Sequence, residues 1–333
     1  MQVDSTVYHQ SVHLDDDKLL SADAQCPFCK CADREPAFVL QENPEVLLLR
    51  CTNCNAASAA RMPTDEALAE YYRGYWTMPK HKGSDEKITF HDSSLFGNHL
   101  ASVFLNCHHG SADDISILDF GGGDGTVAHS VAERLVNNGV RRVEILLIDY
   151  NEKAMSPRDS RIAITRRSSL EGVNLHFSLV IASGVVEHLP RPQEILPRLL
   201  HVMANGAVFY ARTPYVLPLM RMCRPIGIKW DFTYPAHVHD LGQDFWEAYF
   251  NRITSAGEFR ILASNPSLVE TTFRTHFLRT VAAHVLKAPW RVLGKSYRFV
   301  GGWEIFVQKV AGKNCGTEAE ATTGAVARSA RGN

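Results

Sequence analysis

The 333-residue sequence lacks a charge excess of either sign: 35 lysines and arginines face 36 acids, a formal net charge of −1. That balance supplies no global pull toward nucleic acid or an anionic membrane, although a local basic patch is compatible with it. The sequence also lacks any apolar run near the ~18 residues of a membrane span. Its first twenty residues, MQVDSTVYHQSVHLDDDKLL, have neither a basic start nor an apolar block of signal-peptide length. The expectation is a cytoplasmic chain with no membrane span. A hydrophobic fraction of 45% and a charged fraction of 21% exclude a wholly disordered or fibrous chain. At roughly 150 residues per domain, the length predicts one large domain and a small module.

Cysteines are too few for a disulfide scaffold, but five of the eight lie between positions 26 and 54. They form CPFCKC (Cys26, Cys29, Cys31) and CTNC (Cys51, Cys54). Each C-x2-C pair places two sulfurs on one tight turn, and two facing turns supply a tetrahedron of thiolates, which suits zinc. Between them, AFVLQENPEVLLLRC reads as two short strands around a turn at Asn43-Pro44. The reading is a zinc ribbon over residues 22–60 with Cys26, Cys29, Cys51 and Cys54 as ligands and Cys31 as a surplus thiol. Four cysteine ligands leave no open position, so the metal is expected to be structural, and a module this small depends on it to fold.

Residues 61–110 read as a helical linker or lid. Thr64 is placed to cap a helix that begins with Asp65 and Glu66 and stops near Gly74; Tyr71, Tyr72, Tyr75 and Trp76 follow as core or lid aromatics. A second helix is predicted over about Ser94 to Cys107. His108 and His109 read as solvated loop residues.

The stretch ISILDFGGGDGTVAHSVAERL (115–135) is a buried strand, a glycine turn and a helix, the first unit of a doubly wound α/β fold. Gly121, Gly123 and Gly125 permit positive φ and close backbone approach of a ligand near the helix N-terminus. Dinucleotide and methyl-donor sites share such a cluster. The next strand, VEILLIDY, ends in Asp149 and Tyr150, where an acid can accept hydrogen bonds from both ribose hydroxyls. A later strand, HFSLVIASGVVEHLP, carries Ser183, Glu187 and His188 at its carboxyl end. A dehydrogenase would more often show GxGxxG, whereas the sixth position from Gly121 is Thr126.

The motifs LDFGGGDG, IDY and FSLVIASGVVEHL together resemble class I S-adenosylmethionine-dependent methyltransferases. The resemblance implies an α/β, Rossmann-like, doubly wound seven-stranded sheet in the order 3-2-1-4-5-7-6 behind the small N-terminal zinc ribbon. It implies a donor site at Asp119, Gly121, Gly123, Asp149, Tyr150 and Ser183, with Gly121 and Gly123 against the methionine moiety. The methyltransferase domain is expected over 111–311, with insertions at 214–240 and 265–300 and a disordered tail at 312–333. The four-cysteine module, the YY…YW linker and the Pro-x-His-x-His element are similar to zinc-containing methyltransferases that act on sugars in nucleotide-sugar and surface-polysaccharide pathways. This chain lacks the long extra C-terminal domain of the sugar C-methyltransferases, which favours O-methylation.

A sugar hydroxyl is a weak nucleophile, so a general base is needed, and histidine suits that task near neutral pH. His188, oriented by Glu187, is one candidate. His237 and His239 in YPAHVHD are the other; H-x-H spacing on an extended strand points both rings to one face. A divalent cation at the active site is a further candidate cofactor. Asp240 is a candidate helix cap. The expected partner is a small-molecule or glycan substrate, with recognition by the two insertions. The alternatives are an RNA methyltransferase that grips rRNA or tRNA with the zinc module, which near-neutral charge disfavours, and a C- or N-methyltransferase of another small metabolite.

Overall fold

The computed structural model describes residues 2–4, 11–75, 93–107, 114–150, 155–254, 257–269, 271–274 and 276–310. The expectations for His108, His109, Trp76 and the tail at 312–333 lie outside the described residues.

The N-terminal part comprises β1 (Gln2–Asp4), β2 (Arg34–Gln41), β3 (Val46–Cys51), β4 (Ala57–Ala59), α1 (Asp65–Tyr75) and α2 (Ser93–Cys107). Thr64 caps α1 as its side chain suggests, its Oγ1 accepting from the Ala67 amide at 3.2 Å. The α/β unit follows as β5 (Asp114–Phe120), α3 (Thr126–Asn137), β6 (Arg142–Ile148), β7 (Ile162–Arg167), β8 (Phe177–Ser183), α4 (Pro192–His201) and β9 (Met203–Tyr215). Next come α5 (Leu217–Cys223), β10 (Lys229–Asp231), β11 (His239–Asp240) and α6 (Gln243–Ala248). The chain closes with β12 (Phe259–Pro266), α7 (Phe277–Lys287), α8 (Trp290–Leu293) and β13 (Gly301–Lys309).

Seven strands form one sheet in the order β12-β13-β9-β8-β5-β6-β7. Numbered from β5 as the first strand and read from the β7 edge, this is 3-2-1-4-5-7-6. The five strands from β7 to β9 run parallel, and β13 lies antiparallel between β9 and β12. Side chains on a strand alternate between faces, so successive residues enter two different cores. Leu118, Leu146, Val180, Ala182, Phe209 and Ala211 face one cluster with Phe245 and Trp246 of α6. Ile117, Ile145, Leu179, Ile181, Val208 and Tyr210 face the other, against Phe96, Leu100 and Phe104 of α2 and Val131 and Leu135 of α3. Gly97 sets the spacing of α2 on α3, because a Cβ there would lie 2.6 Å from the Ser130 carbonyl.

The cysteine-bearing module is not free-standing. Its sheet has the order β11-β4-β3-β2, so its fourth strand comes from the segment after β9. The boundary read as 22–60 therefore separates residues that share one sheet. A three-stranded ribbon of this size exposes an unpaired edge, and β11 covers it. Cys26, Phe28, Cys51 and Cys54 belong to the same apolar cluster as Trp246. Among the described residues no helix is long and apolar enough to cross a membrane.

Candidate functional site

The glycine turn after β5 is folded to receive a ligand. Gly121, Gly123 and Gly125 have φ of 72°, 64° and 86°, a region that disfavours other residues. A Cβ on Gly121 would lie 2.4 Å from Val185 Cγ2, whereas one on Gly123 would meet nothing within 4 Å. Open space therefore lies over Gly123. The Gly123 amide donates to Asp149 Oδ2 at 2.8 Å, which brings the end of β6 against the turn. Asp119 is buried beneath it. Burial, with the charges of Asp149 and Asp124 added, pushes its carboxyl up to about 7, and its Oδ2 has no hydrogen-bond partner among the described residues. A buried acid beside open space and three positive-φ glycines fits a ligand that carries cationic groups. Ser183 is half-buried at the end of β8, where it pairs with Arg212. Tyr150, read as part of this site, is 91% exposed.

Glu187 and His188 lie on a short 3-10 turn after β8. One ligand atom from each of Glu187, His188 and His237 falls within 4.8 Å of the others. The segment bearing His237 is tied to that turn by its backbone: the Val238 amide donates to the Glu187 carbonyl at 2.9 Å, and His188 Nδ1 donates to the Ala236 carbonyl at 2.8 Å. The Tyr72 hydroxyl of α1 lies 3.2 Å from the same nitrogen. His188 Nε2 lies 3.9 Å from Glu187 Oε1. Burial holds the His188 ring well below its usual range, at about 4, against the opposing pull of the Ala236 and Gly184 carbonyls. The His237 ring lies with its centroid 4.8 Å from that of His188. Its Nδ1 is 2.7 Å from Thr233 Oγ1, whose hydroxyl donates to the Phe232 carbonyl. The Ala236 carbonyl only accepts, so Nδ1 of His188 carries a proton.

His239 departs from the sequence expectation. Residues 233–237 form a turn closed by the His237 amide on the Thr233 carbonyl at 3.1 Å, and the strand covers only His239–Asp240. The strand alternation that would pair the two rings therefore does not apply. His239 Nε2 donates to the Leu189 carbonyl at 2.7 Å and its Nδ1 accepts from the Ser58 hydroxyl at 2.9 Å. Its ring packs on the edge of Phe28, with centroids 4.8 Å apart. Burial pushes it down to about 3. His239 fastens β4 of the cysteine module to the loop after β8. Asp240 does cap a helix, but the one from an earlier segment: its carboxylate accepts from the Val216 and Leu217 amides at 2.6 and 3.2 Å, at the start of α5. The pairings with Ser58 and Val216 carry no local sequence signal, because the partners are 181 and 24 residues away.

The sulfurs of Cys26, Cys29, Cys51 and Cys54 all lie within 4.8 Å of one another and form no disulfide. The pairs Cys26–Cys54 and Cys29–Cys51 are 3.5 Å apart, close to the about 3.8 Å edge of a tetrahedron with zinc–sulfur bonds of about 2.3 Å. The two turns are built alike. Lys30 and Asn55, each directly after a C-x2-C pair, have φ of 61° and 63° and donate to the Cys26 and Cys51 carbonyls at 2.9 and 3.0 Å. The hydrogen bond between Cys26 and Cys54 pulls the first thiol down to about 5 and pushes the second up. With all four as thiolates this cluster would need a cation, and the donor set fits Zn2+. Cys31 is half-buried and lies outside the four.

A cleft of about 550 Å³ lies between the cysteine module and the two insertions. Arg50 and Asn55 line it from the module, Tyr215 and Arg221 from the first insertion, and Arg298 from the second. Asp244 at the start of α6 holds Arg298 at 3.0 Å.

Residues 118–209 match a family model described as a methyltransferase domain. Comparison with curated proteins returns no match. Solved structures similar to the chain include the plantazolicin methyltransferase BpumL in complex with SAH, 13% identical at a TM-score of 0.42, covering 66% of this chain and 84% of that one. Others are the magnesium protoporphyrin IX methyltransferase of Synechocystis PCC 6803 with bound SAH (11%, TM-score 0.40, 74% and 94% covered) and coclaurine N-methyltransferase (10%, TM-score 0.38, 64% and 70% covered). The family match runs from β5, through the glycine turn and Asp149, to β9. The chain carries a methyltransferase domain over these residues.

Proposed function

We propose that the enzyme methylates a hydroxyl oxygen of a sugar or similarly hydroxylated acceptor, free or carried on a nucleotide or lipid. The observation that carries this reading is the cluster of Glu187, His188 and His237 at the carboxyl end of β8, one strand from the glycine turn. S-adenosylmethionine supplies an electrophilic methyl group on a sulfonium. Gly121, Gly123, Asp119 and Asp149 hold the donor, with Asp149 exchanging the Gly123 amide for ribose hydroxyls. Nε2 of His188 or His237 takes the acceptor's hydroxyl proton as the oxygen–carbon bond forms and the sulfonium departs as a thioether. Glu187 stabilises the resulting imidazolium, and the Nδ1 bond to Ala236 keeps the His188 ring in the required tautomer.

The four cysteines hold a structural Zn2+, which suits a reducing, cytoplasmic compartment. In this reading the module at 22–60 positions the segment of His237 and His239, and 61–110 contributes Tyr72 to the acceptor side. A divalent cation on Glu187, His188 and His237, a two-histidine, one-carboxylate donor set, is the second reading. It would acidify the hydroxyl in place of a free base.

The test is transfer of labelled methyl from donor to a panel of free, nucleotide-linked and lipid-linked sugars, with donor affinity measured by calorimetry. Donor binding that weakens at least about tenfold in Asp149→Ala, with label on a sugar oxygen, supports the reading. Absence of donor binding overturns it, as does label only on RNA, carbon or nitrogen. Activity abolished by chelation and restored by Mg2+ or Mn2+ selects the cation reading.

A further inference from the structure

The near-neutral charge of the whole chain conceals a strong internal division. Residues 214–230 carry three lysines or arginines and no acid, and residues 271–303 carry six and no acid. These two stretches hold nine of the 35 cations, leaving 26 against 36 acids elsewhere. They meet in space: a Cβ on Gly301 would lie 3.8 Å from Leu219 of α5 and 3.9 Å from Leu286 of α7. The cleft described above is lined from both.

The same stretches expose apolar side chains. Of the 15 large exposed apolar residues among those described, eight lie here, including Ile226 (70% exposed), Leu278 (81%) and Val292 (87%). On α7 the usual amphipathic arrangement is reversed. At 100° per residue Phe277, Leu278, Val281, Ala282 and Val285 share an arc of about 140°, and Phe277, Leu278 and Val285 stand in solvent. The opposite side turns polar groups inward: Thr280 is buried and donates to Thr271 Oγ1 at 2.8 Å, and Lys287 Nζ donates to the Ser267 carbonyl. Phe273 is held in place by a parallel stack on His284, with centroids 5.4 Å apart. Lys295 and Arg298 pair with Glu247 and Asp244 of the neighbouring α6, while Arg279 and Arg291 stand exposed. A helix with its apolar face outward, in a stretch that has cations and no acids of its own, matches a surface that offers both hydrocarbon and negative charge.

We propose that the face formed by α5, α7, α8 and the segments between them docks on the surface of an anionic lipid bilayer, with Phe277, Leu278, Val285 and Val292 entering the headgroup boundary and the surrounding arginines and lysines meeting lipid phosphates. Nucleic acid would use the cations but gains nothing from exposed leucine and valine. This inference goes beyond the acceptor reading and does not depend on it.

The experiment is flotation of the full chain with vesicles of phosphatidylcholine containing about 30% phosphatidylglycerol and with phosphatidylcholine alone, at about 0.1 M and 0.5 M salt. The expected result is partition onto the anionic vesicles only, lost at the higher salt. Phe277→Ser/Leu278→Ser/Val285→Ser reduces it at least about tenfold, and each of Arg279→Gln and Arg291→Gln reduces it roughly fivefold. Unchanged melting temperature and donor affinity in these surface variants show that the fold is intact. No partition onto either vesicle, or equal partition onto both, overturns the proposal. So does a concentration-dependent dimer that the triple substitution dissociates, which would make a second copy the occupant of this face.

Discussion

The glycine turn after β5 and the histidine turn before β11 stand at the same edge of one sheet, yet they are assembled differently. In the first, Gly121, Gly123 and Gly125 lie within five residues of each other, and a single bond from the Gly123 amide to Asp149 adds the neighbouring strand. In the second, Glu187 and His188 come from one segment and His237 from another 49 residues on. The second segment is held by Ser58 of β4, inside the cysteine module. A local site withstands distant changes, whereas one built from remote segments inherits the stability of everything that supports it.

The largest expected effect comes from breaking the remote support. On the proposed zinc site Cys54→Ser removes a ligand, so the module should then lose its metal and the melting temperature should fall by roughly 10 °C or more. Because β4 carries β11, methyl transfer should collapse well before donor affinity does. Mass spectrometry under native conditions, a melting curve and donor calorimetry read the three quantities. A variant that loses metal yet keeps full turnover would show the histidine turn to be self-supporting.

Next in size is the division between two histidines two residues apart. His237→Asn should lower turnover about 10²- to 10⁴-fold with a modest change in melting temperature. His239→Asn should instead destabilise the protein by about 2–3 kcal/mol, since it strands the Ser58 hydroxyl and the Leu189 carbonyl, while the folded fraction retains turnover. Turnover and thermal denaturation measured on both variants decide the matter; the same loss of turnover in each would erase the distinction drawn from their geometry.

The smallest effect sharpens the comparison from outside both turns. His99 of α2 lies 2.8 Å from Glu304 Oε1, and the Tyr210 hydroxyl donates to Oε2 of the same carboxylate at 3.2 Å. Burial lowers the His99 pKa, but the hydrogen bond and charge of Glu304 outweigh it and the net shift is upward. A raised folded pKa contributes stability that is complete below the unfolded value of about 6.5 and is lost as pH rises through the folded one. Denaturant titrations should therefore show a decline of about 1 kcal/mol from pH 6 to alkaline pH. Glu304→Gln should flatten that slope, and an unchanged slope would show that this pair is not its source.

Much of the glycine turn was legible before any fold was known. A positive-φ turn demands glycine, so LDFGGGDG announces its conformation, and a buried parallel strand announces itself as an apolar run. The four cysteines were legible for the same reason: two tight turns and their residue types are local facts. The histidine segment was not. H-x-H suggested two rings on one face, but the chain turns at 233–237, and only His237 joins Glu187 and His188. Asp240 was recognisable as a capping residue, although not which helix it would cap, because Val216 is brought to it by the course of β9. Tyr150 follows Asp149 directly and shared its assignment on position alone, yet it stands in solvent.

By itself the sequence determined the α/β architecture, the glycine turn and the pairing of cysteines on two tight turns, because each depends on backbone freedom, periodicity or residue type within a short stretch. The tertiary structure alone decided that the cysteine module shares a sheet with the segment that follows His237. It alone divided His237 from His239, and it joined two distant basic insertions into one apolar, cationic face. Those outcomes depend on which remote surfaces are buried against one another, and burial is a property of the packed whole that no local pattern encodes.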